Sequence, residues 1–129
     1  MTPTYAIIVG HGDMPRALLD AAASIVGSAE GATTLSNIDS SAEELDAALA
    51  RLIDERADGN VIVFADMYGT SCGTTCARLE RQRDNVAVIC GVNLPMLVRF
   101  FTYRGRKEFA ELVRFLLQTG QNEVRLTRT

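Results

Sequence analysis

Three short segments are apolar at consecutive positions rather than at alternating ones: Tyr5 to Val9, Val61 to Ala65 and Val86 to Cys90. Unbroken hydrophobicity with many β-branched residues suits strands covered on both faces, as in parallel sheets. Helical periodicity fills the gaps between them. Asp13 is placed to cap a helix with Pro15 in its first turn, and Leu18, Leu19, Ala22, Ile25 and Val26 form an apolar stripe that Gly27 ends. Ser41-x-x-Glu44 reads as a capping box opening a helix with the stripe Leu45, Leu49, Leu52 and Ile53, which closes at Asp58-Gly59. Thr33 to Ile38, between these helices, reads as a weaker strand.

Past Ala65 a turn rich in Gly, Ser and Thr leads into a helix from about Ser71 or Cys72 to Gln82. Leu94 to Phe101 is helical with Pro95 in its first turn, and Phe109, Leu112, Val113, Leu116 and Leu117 mark a last helix stopped by Gly120. Beyond it Glu123 to Thr127 alternates polar and apolar residues, an edge-strand pattern with one wet face. An open edge invites pairing with another chain, so a homodimer is expected. The expected architecture is α/β: a three-layer sandwich around a mostly parallel sheet, with an antiparallel C-terminal edge strand. At 129 residues, without an internal repeat or linker, residues 1–129 read as one domain.

Composition narrows the function classes. A net charge of −3 with 22% charged residues lacks the basic footprint of a nucleic-acid binder. Lys107 is the one lysine among 13 basic residues, and it is not placed in a P-loop, which disfavours nucleotide hydrolysis. No stretch approaches the roughly 20 apolar residues of a membrane span, and the first residues lack signal-peptide character, which points to the cytoplasm. Cys72, Cys76 and Cys90 are odd in number and fit neither a disulfide framework nor a zinc pattern, so free thiols are expected. Cys72, near a helix start, could be redox-active with Cys76 one turn on; small core-filling cysteines are the plainer reading.

The candidate chemistry lies at strand ends. His11, the one histidine, stands in Gly10-His11-Gly12 directly after the first apolar run, and Asp66 follows the second strong run in the same way. A parallel sheet puts both at its carboxyl edge, where α/β proteins bind ligands. A carboxylate accepting the Nδ1 hydrogen of an imidazole fixes the tautomer and leaves Nε2 as nucleophile. Gly69, Thr70, Ser71 and Cys72 would then supply backbone N–H groups and hydroxyls at a helix N-terminus to hold a phosphate. Phosphoryl transfer asks mainly for positioning and charge stabilisation, so these parts suffice without a metal or cofactor. Taken singly, each has a plainer reading: a solvated loop histidine, a turn-capping aspartate, a strand-to-helix connection.

The segments Ala6-Ile7-Ile8-Val9-Gly10-His11-Gly12, Phe64-Ala65-Asp66-Met67-Tyr68-Gly69-Thr70-Ser71 and Gly91-Val92-Asn93-Leu94-Pro95-Met96-Leu97 resemble, in order and spacing, the mannose-family enzyme IIA domain of the bacterial phosphoenolpyruvate-dependent sugar phosphotransferase system. The third segment is the most specific. The likeness extends through Thr119-Gly120-Gln121-Asn122-Glu123-Val124.

This resemblance implies a phosphotransferase in which His11 accepts phosphate on Nε2 from the histidine-containing phosphocarrier protein (HPr), with Asp66 as the orienting carboxylate. It implies onward transfer to a IIB component and thence to sugar entering through a membrane permease, which the protein would at most meet peripherally. It also implies a dimer that exchanges the C-terminal strand. Where the family has Asp-x-x-Gly-Gly-Ser-Pro-x-Asn, this chain has Thr70, Cys72 and Thr74 in place of the second Gly, the Pro and the Asn, which puts the phosphate cradle in question. The chain ends at Thr129 without a linker to a IIB domain, so a free-standing copy with a regulatory use of the phosphate is the alternative to transport. Two rival readings keep the architecture: a receiver domain phosphorylated on Asp66, which lacks its acidic pair and lysine here, and a non-catalytic, ligand-sensing dimeric module.

Overall fold

In the computed structural model, which describes residues 1–67 and 71–128, with Ser71 and Cys72 as backbone only, strands and helices alternate along most of the chain. The order is β1 (Thr4–Gly10), α1 (Met14–Val26), β2 (Ala32–Ser36), α2 (Ala42–Asp54), β3 (Asn60–Ala65), α3 (Ser71–Arg81), β4 (Val86–Cys90), α4 (Leu94–Tyr103) and α5 (Phe109–Asn122). The four strands form one parallel sheet in the order β2-β1-β3-β4.

Unbroken apolar strands require cover on both faces, and the core divides accordingly. Ala6, Ile8, Ile62, Phe64 and Ile89 pack against α1, α4 and α5 through Leu19, Ala22, Leu97, Phe100, Leu112 and Leu116. The alternate residues Ile7, Val9, Val61, Val63 and Ala65 pack against α2 and α3 through Leu45, Leu49, Ile53, Cys76 and Leu79. The result is three layers, helices on either side of the sheet. No helix among the described residues is long and apolar enough to cross a membrane.

Several local expectations are met by the geometry. Ser41 and Glu44 make both bonds of the capping box at 3.1 and 2.9 Å. Gly27 ends α1 in the left-handed region at φ 92°. Others are corrected. The Asp13 side chain makes no capping bond to α1. Helix α2 stops at Asp54 rather than at Asp58-Gly59, and β2 is Ala32–Ser36 rather than Thr33 to Ile38.

Gly120 does not stop α5, which runs on to Asn122. It sits buried inside the helix because an added Cβ would collide with Met96 Cε. Asn93 completes this lock: its Oδ1 accepts from Met96 N–H, starting α4, while its Nδ2 donates 3.0 Å to the Gly120 carbonyl. The Gly91-to-Leu97 segment therefore fastens α4 to α5.

Residues 123–127 form no strand within this chain, and the four strands among the described residues are all parallel. A strand needs a neighbour to bond, and this segment has none among the described residues. Val124 and Leu126 are left 82% and 83% exposed.

Candidate functional site

The strand order creates a crevice. β1 is flanked by β2 on one side and β3 on the other, so the chain leaves β1 and β3 in opposite directions, and their carboxyl ends border a topological switch point where α/β sheets take ligands. His11 follows β1 and Asp66 follows β3 at that point. The register Val9↔Ala65 sets the two side chains beside one another.

They meet at 2.6 Å, His11 Nδ1 to Asp66 Oδ2. The same oxygen accepts the His11 backbone N–H at 3.0 Å, so one carboxylate atom holds both the ring and its backbone. The carboxylate is 13% exposed and the imidazole 48% exposed, which turns the rest of the ring outward. Asp66 stays below the ordinary carboxylate range. Burial, the largest single influence, acts upward, but the His11 ring bond, the His11 backbone N–H, the ring's charge and the Met67 N–H together outweigh it. An ionised carboxylate can only accept, so Nδ1 carries a proton facing Asp66, and the tautomer this selects has its lone pair on Nε2.

Asp66 Oδ1 is buried and has no partner in bonding geometry among the described residues. Gly10 explains why the carboxylate fits at all. An added Cβ there would lie 2.8 Å from Asp66 Oδ2 and 2.8 Å from Met14 Cε.

Gly69 and Thr70, named for the phosphate cradle, lie outside the described residues. Ser71 and Cys72 open α3 as backbone, and their side chains are not described. Cys76 is buried, whereas Cys90 is a half-buried free thiol at the end of β4. Burial, then Glu80 and Asp66, push the Cys90 thiol above its usual range, which disfavours the reactive thiolate.

Two residues at the site carry no signature in the sequence. Ser36 Oγ donates 2.7 Å to the Gly12 carbonyl, and Asn37 Oδ1 accepts the Gly12 N–H at 3.2 Å. Both follow from the β1–β2 register Gly10↔Ser36, which only the folded sheet reveals.

Fold and geometry together define an α/β protein that presents a carboxylate-paired histidine at the carboxyl rim of a parallel sheet. The chain belongs to the mannose-type enzyme IIA family, whose model, described as the fructose IIA component of the PTS system, matches residues 5–117. It is 30% identical over 129 residues to the mannose-specific EIIAB component of the PTS system from Escherichia coli K12, covering 95% of this chain and 39% of that protein. The chain thus spans about two fifths of the length of the curated relatives it matches. Among solved structures it is similar to the mannose/sorbose-specific IIA subunit of the phosphotransferase system from Enterococcus faecalis, at 25% identity and TM-score 0.85, covering 100% of this chain and 97% of that one. The PTS IIA protein associated with the fucose utilization operon from Streptococcus pneumoniae shares the fold at 22% identity and TM-score 0.87, covering 98% and 94%.

Proposed function

We propose that this protein is a phosphoryl carrier in which His11 Nε2 accepts phosphate from the phosphohistidine of HPr. The observation that carries this reading is the 2.6 Å contact of Nδ1 with Asp66 Oδ2, which leaves Nε2 as the nucleophilic nitrogen of a half-exposed ring. In the step, the Nε2 lone pair attacks phosphorus, the nitrogen–phosphorus bond of the donor breaks, and its electron pair returns to the donor ring. The Nδ1 proton stays between the ring and Asp66, whose negative charge stabilises the more positive phosphorylated imidazole. The first backbone N–H groups of α3, together with Gly69, Thr70, Ser71 and Cys72, are the groups this reading assigns to the phosphate oxygens.

The phosphate then passes to a IIB component or serves regulation, in the cytoplasm. The protein acts as a homodimer in which residues 123–127 add to the partner's sheet. Two features support that assembly: Val124 and Leu126 are bare, and the outer edge of β4, where the Val88 N–H donates to Glu80 Oε2, borders an apolar groove of about 380 Å³ lined by Val88, Cys90, Val113 and Leu117.

The receiver reading is less favoured by the geometry, because Asp66 Oδ2 is occupied twice by His11 and the carboxylate is largely buried. Incubation with phosphoenolpyruvate, enzyme I and HPr separates the readings. Acid-labile, base-stable label that disappears in His11→Ala is the expected result. Label on Asp66 would establish a receiver, and no label a binding module.

A further inference from the structure

The turn that carries His11 is not held by Asp66 alone. Asn37, just past β2, brackets it: its backbone N–H donates 3.0 Å to the Gly10 carbonyl, and its side-chain Oδ1 accepts the Gly12 N–H. One residue thus binds the peptide groups on both sides of the histidine. Because the Gly12 N–H is a donor, the amide oxygen of Asn37 must face it. Ser36 adds a third tie through the Gly12 carbonyl, and its Oγ also accepts the Ile38 N–H at 3.1 Å. Asn37 is itself fixed, since its carbonyl accepts from Ser40 N–H across a turn that holds Asp39 at φ 56°.

These ties matter because Gly12 lies at φ 58° with open space around it, so neither sterics nor packing at Gly12 holds the turn. Without the Asn37 bond the peptide after His11 is held only at its carbonyl, by the Met14 N–H at 3.2 Å, so it can tilt about that one tie and the ring with it. The Nδ1 contact with Asp66 at 2.6 Å leaves little room for such rotation before the tautomer is no longer imposed.

We infer that Asn37 is a positioning residue for phosphoryl transfer, one that holds the His11 turn so that Asp66 can keep the proton on Nδ1. Its effect on rate rests on the phosphoryl-carrier reading above; its effect on the ring does not. The test combines nitrogen-15 NMR of the His11 imidazole at neutral pH with the rate of labelling by phosphorylated HPr, in the full chain.

Asn37→Ala is expected to slow labelling about tenfold or more and to turn a single Nδ1–H tautomer signal into a mixture. Asn37→Asp, which keeps an acceptor oxygen at the same reach, is expected to restore the single tautomer. Should Asn37→Ala fail to fold, Asn37→Ser, too short to reach the Gly12 N–H, is read in its place. The inference is overturned if the alanine variant keeps the wild-type tautomer signal, whatever its rate or melting temperature, or if Asn37→Asp does not restore it. If the wild-type protein takes no phosphate, the carrier reading fails while the tautomer comparison still decides the role of Asn37.

Discussion

Replacing Gly10 by alanine presses directly on the His11–Asp66 contact. Gly10 is not in the left-handed region, so alanine brings no backbone strain and acts only through its methyl group. That carbon would stand 2.8 Å from Asp66 Oδ2, 2.9 Å from its Cγ and 2.8 Å from Met14 Cε. Ordinary contact requires a retreat of roughly 0.5 Å or more. Met14 has rotatable bonds with which to swing its methyl away, whereas the carboxylate is pinned by two bonds to His11. The displacement therefore falls on the carboxylate. Overpacking of this kind costs about 1–3 kcal/mol, a fall of about 4–12 °C in melting temperature. A misplacement of about 1 Å can cost about 10²-fold in rate, so roughly half that distance is expected to slow transfer at least about tenfold. Rapid-quench labelling from phosphorylated HPr, with thermal unfolding by circular dichroism, reads both numbers. A rate within about twofold of wild type would refute the reasoning. So would full rescue by adding Met14→Ala, since the clash would then lie on Met14 alone.

Acid should weaken the fold through the carboxylates held below their usual range. Asp66 is one; Asp54 is lowered by its bond to Arg83, and Glu44 by the Ser41 backbone N–H. A depressed folded-state pKa means that the unfolded chain binds protons first, so this stabilisation is complete above about pH 5 and is lost as pH falls through the lowered values below about 4. Thermal melts of wild type and Asp66→Asn between pH 3 and 7 should converge towards the acid end; parallel curves would show that Asp66 contributes nothing. Gly120→Ala, whose methyl would meet Cε of Met96, a side chain that is buried where Met14 is not and so has no solvent to swing into, is expected to destabilise by about 1–3 kcal/mol in urea unfolding, and an unchanged midpoint would remove the α4–α5 lock. Truncation after Asn122 should convert a dimer into a monomer in analytical ultracentrifugation, and an undiminished dimer would place the interface elsewhere.

The layers of the fold were legible because each depends on local pattern. Runs such as Val61 to Ala65 announce a doubly covered parallel strand, and Ser41-x-x-Glu44 announces a helix start, without reference to distant residues. The pairing of His11 with Asp66 was legible for a related reason: both are the first polar side chains after apolar strands, and a parallel sheet sends all its strand ends to one rim. Features set by packing between distant segments were not. Gly120 looks like a helix stop until Met96 is seen against it, and the bond from the Asn93 amide to the Gly120 carbonyl exists only because α4 packs on α5. Ser36 and Asn37 become site residues only through the register of β2 on β1. The tail from Glu123 to Thr127 carries a strand pattern, yet it pairs with no strand of its own chain among the described residues.

The most direct measurement locates the phosphate atom by atom. Phosphorus-31 and nitrogen-15 NMR of the protein phosphorylated through HPr should show a single phosphorus bonded to His11 Nε2, with Nδ1 still protonated against Asp66. Phosphate on Nδ1, or on the Asp66 carboxylate, would contradict the account.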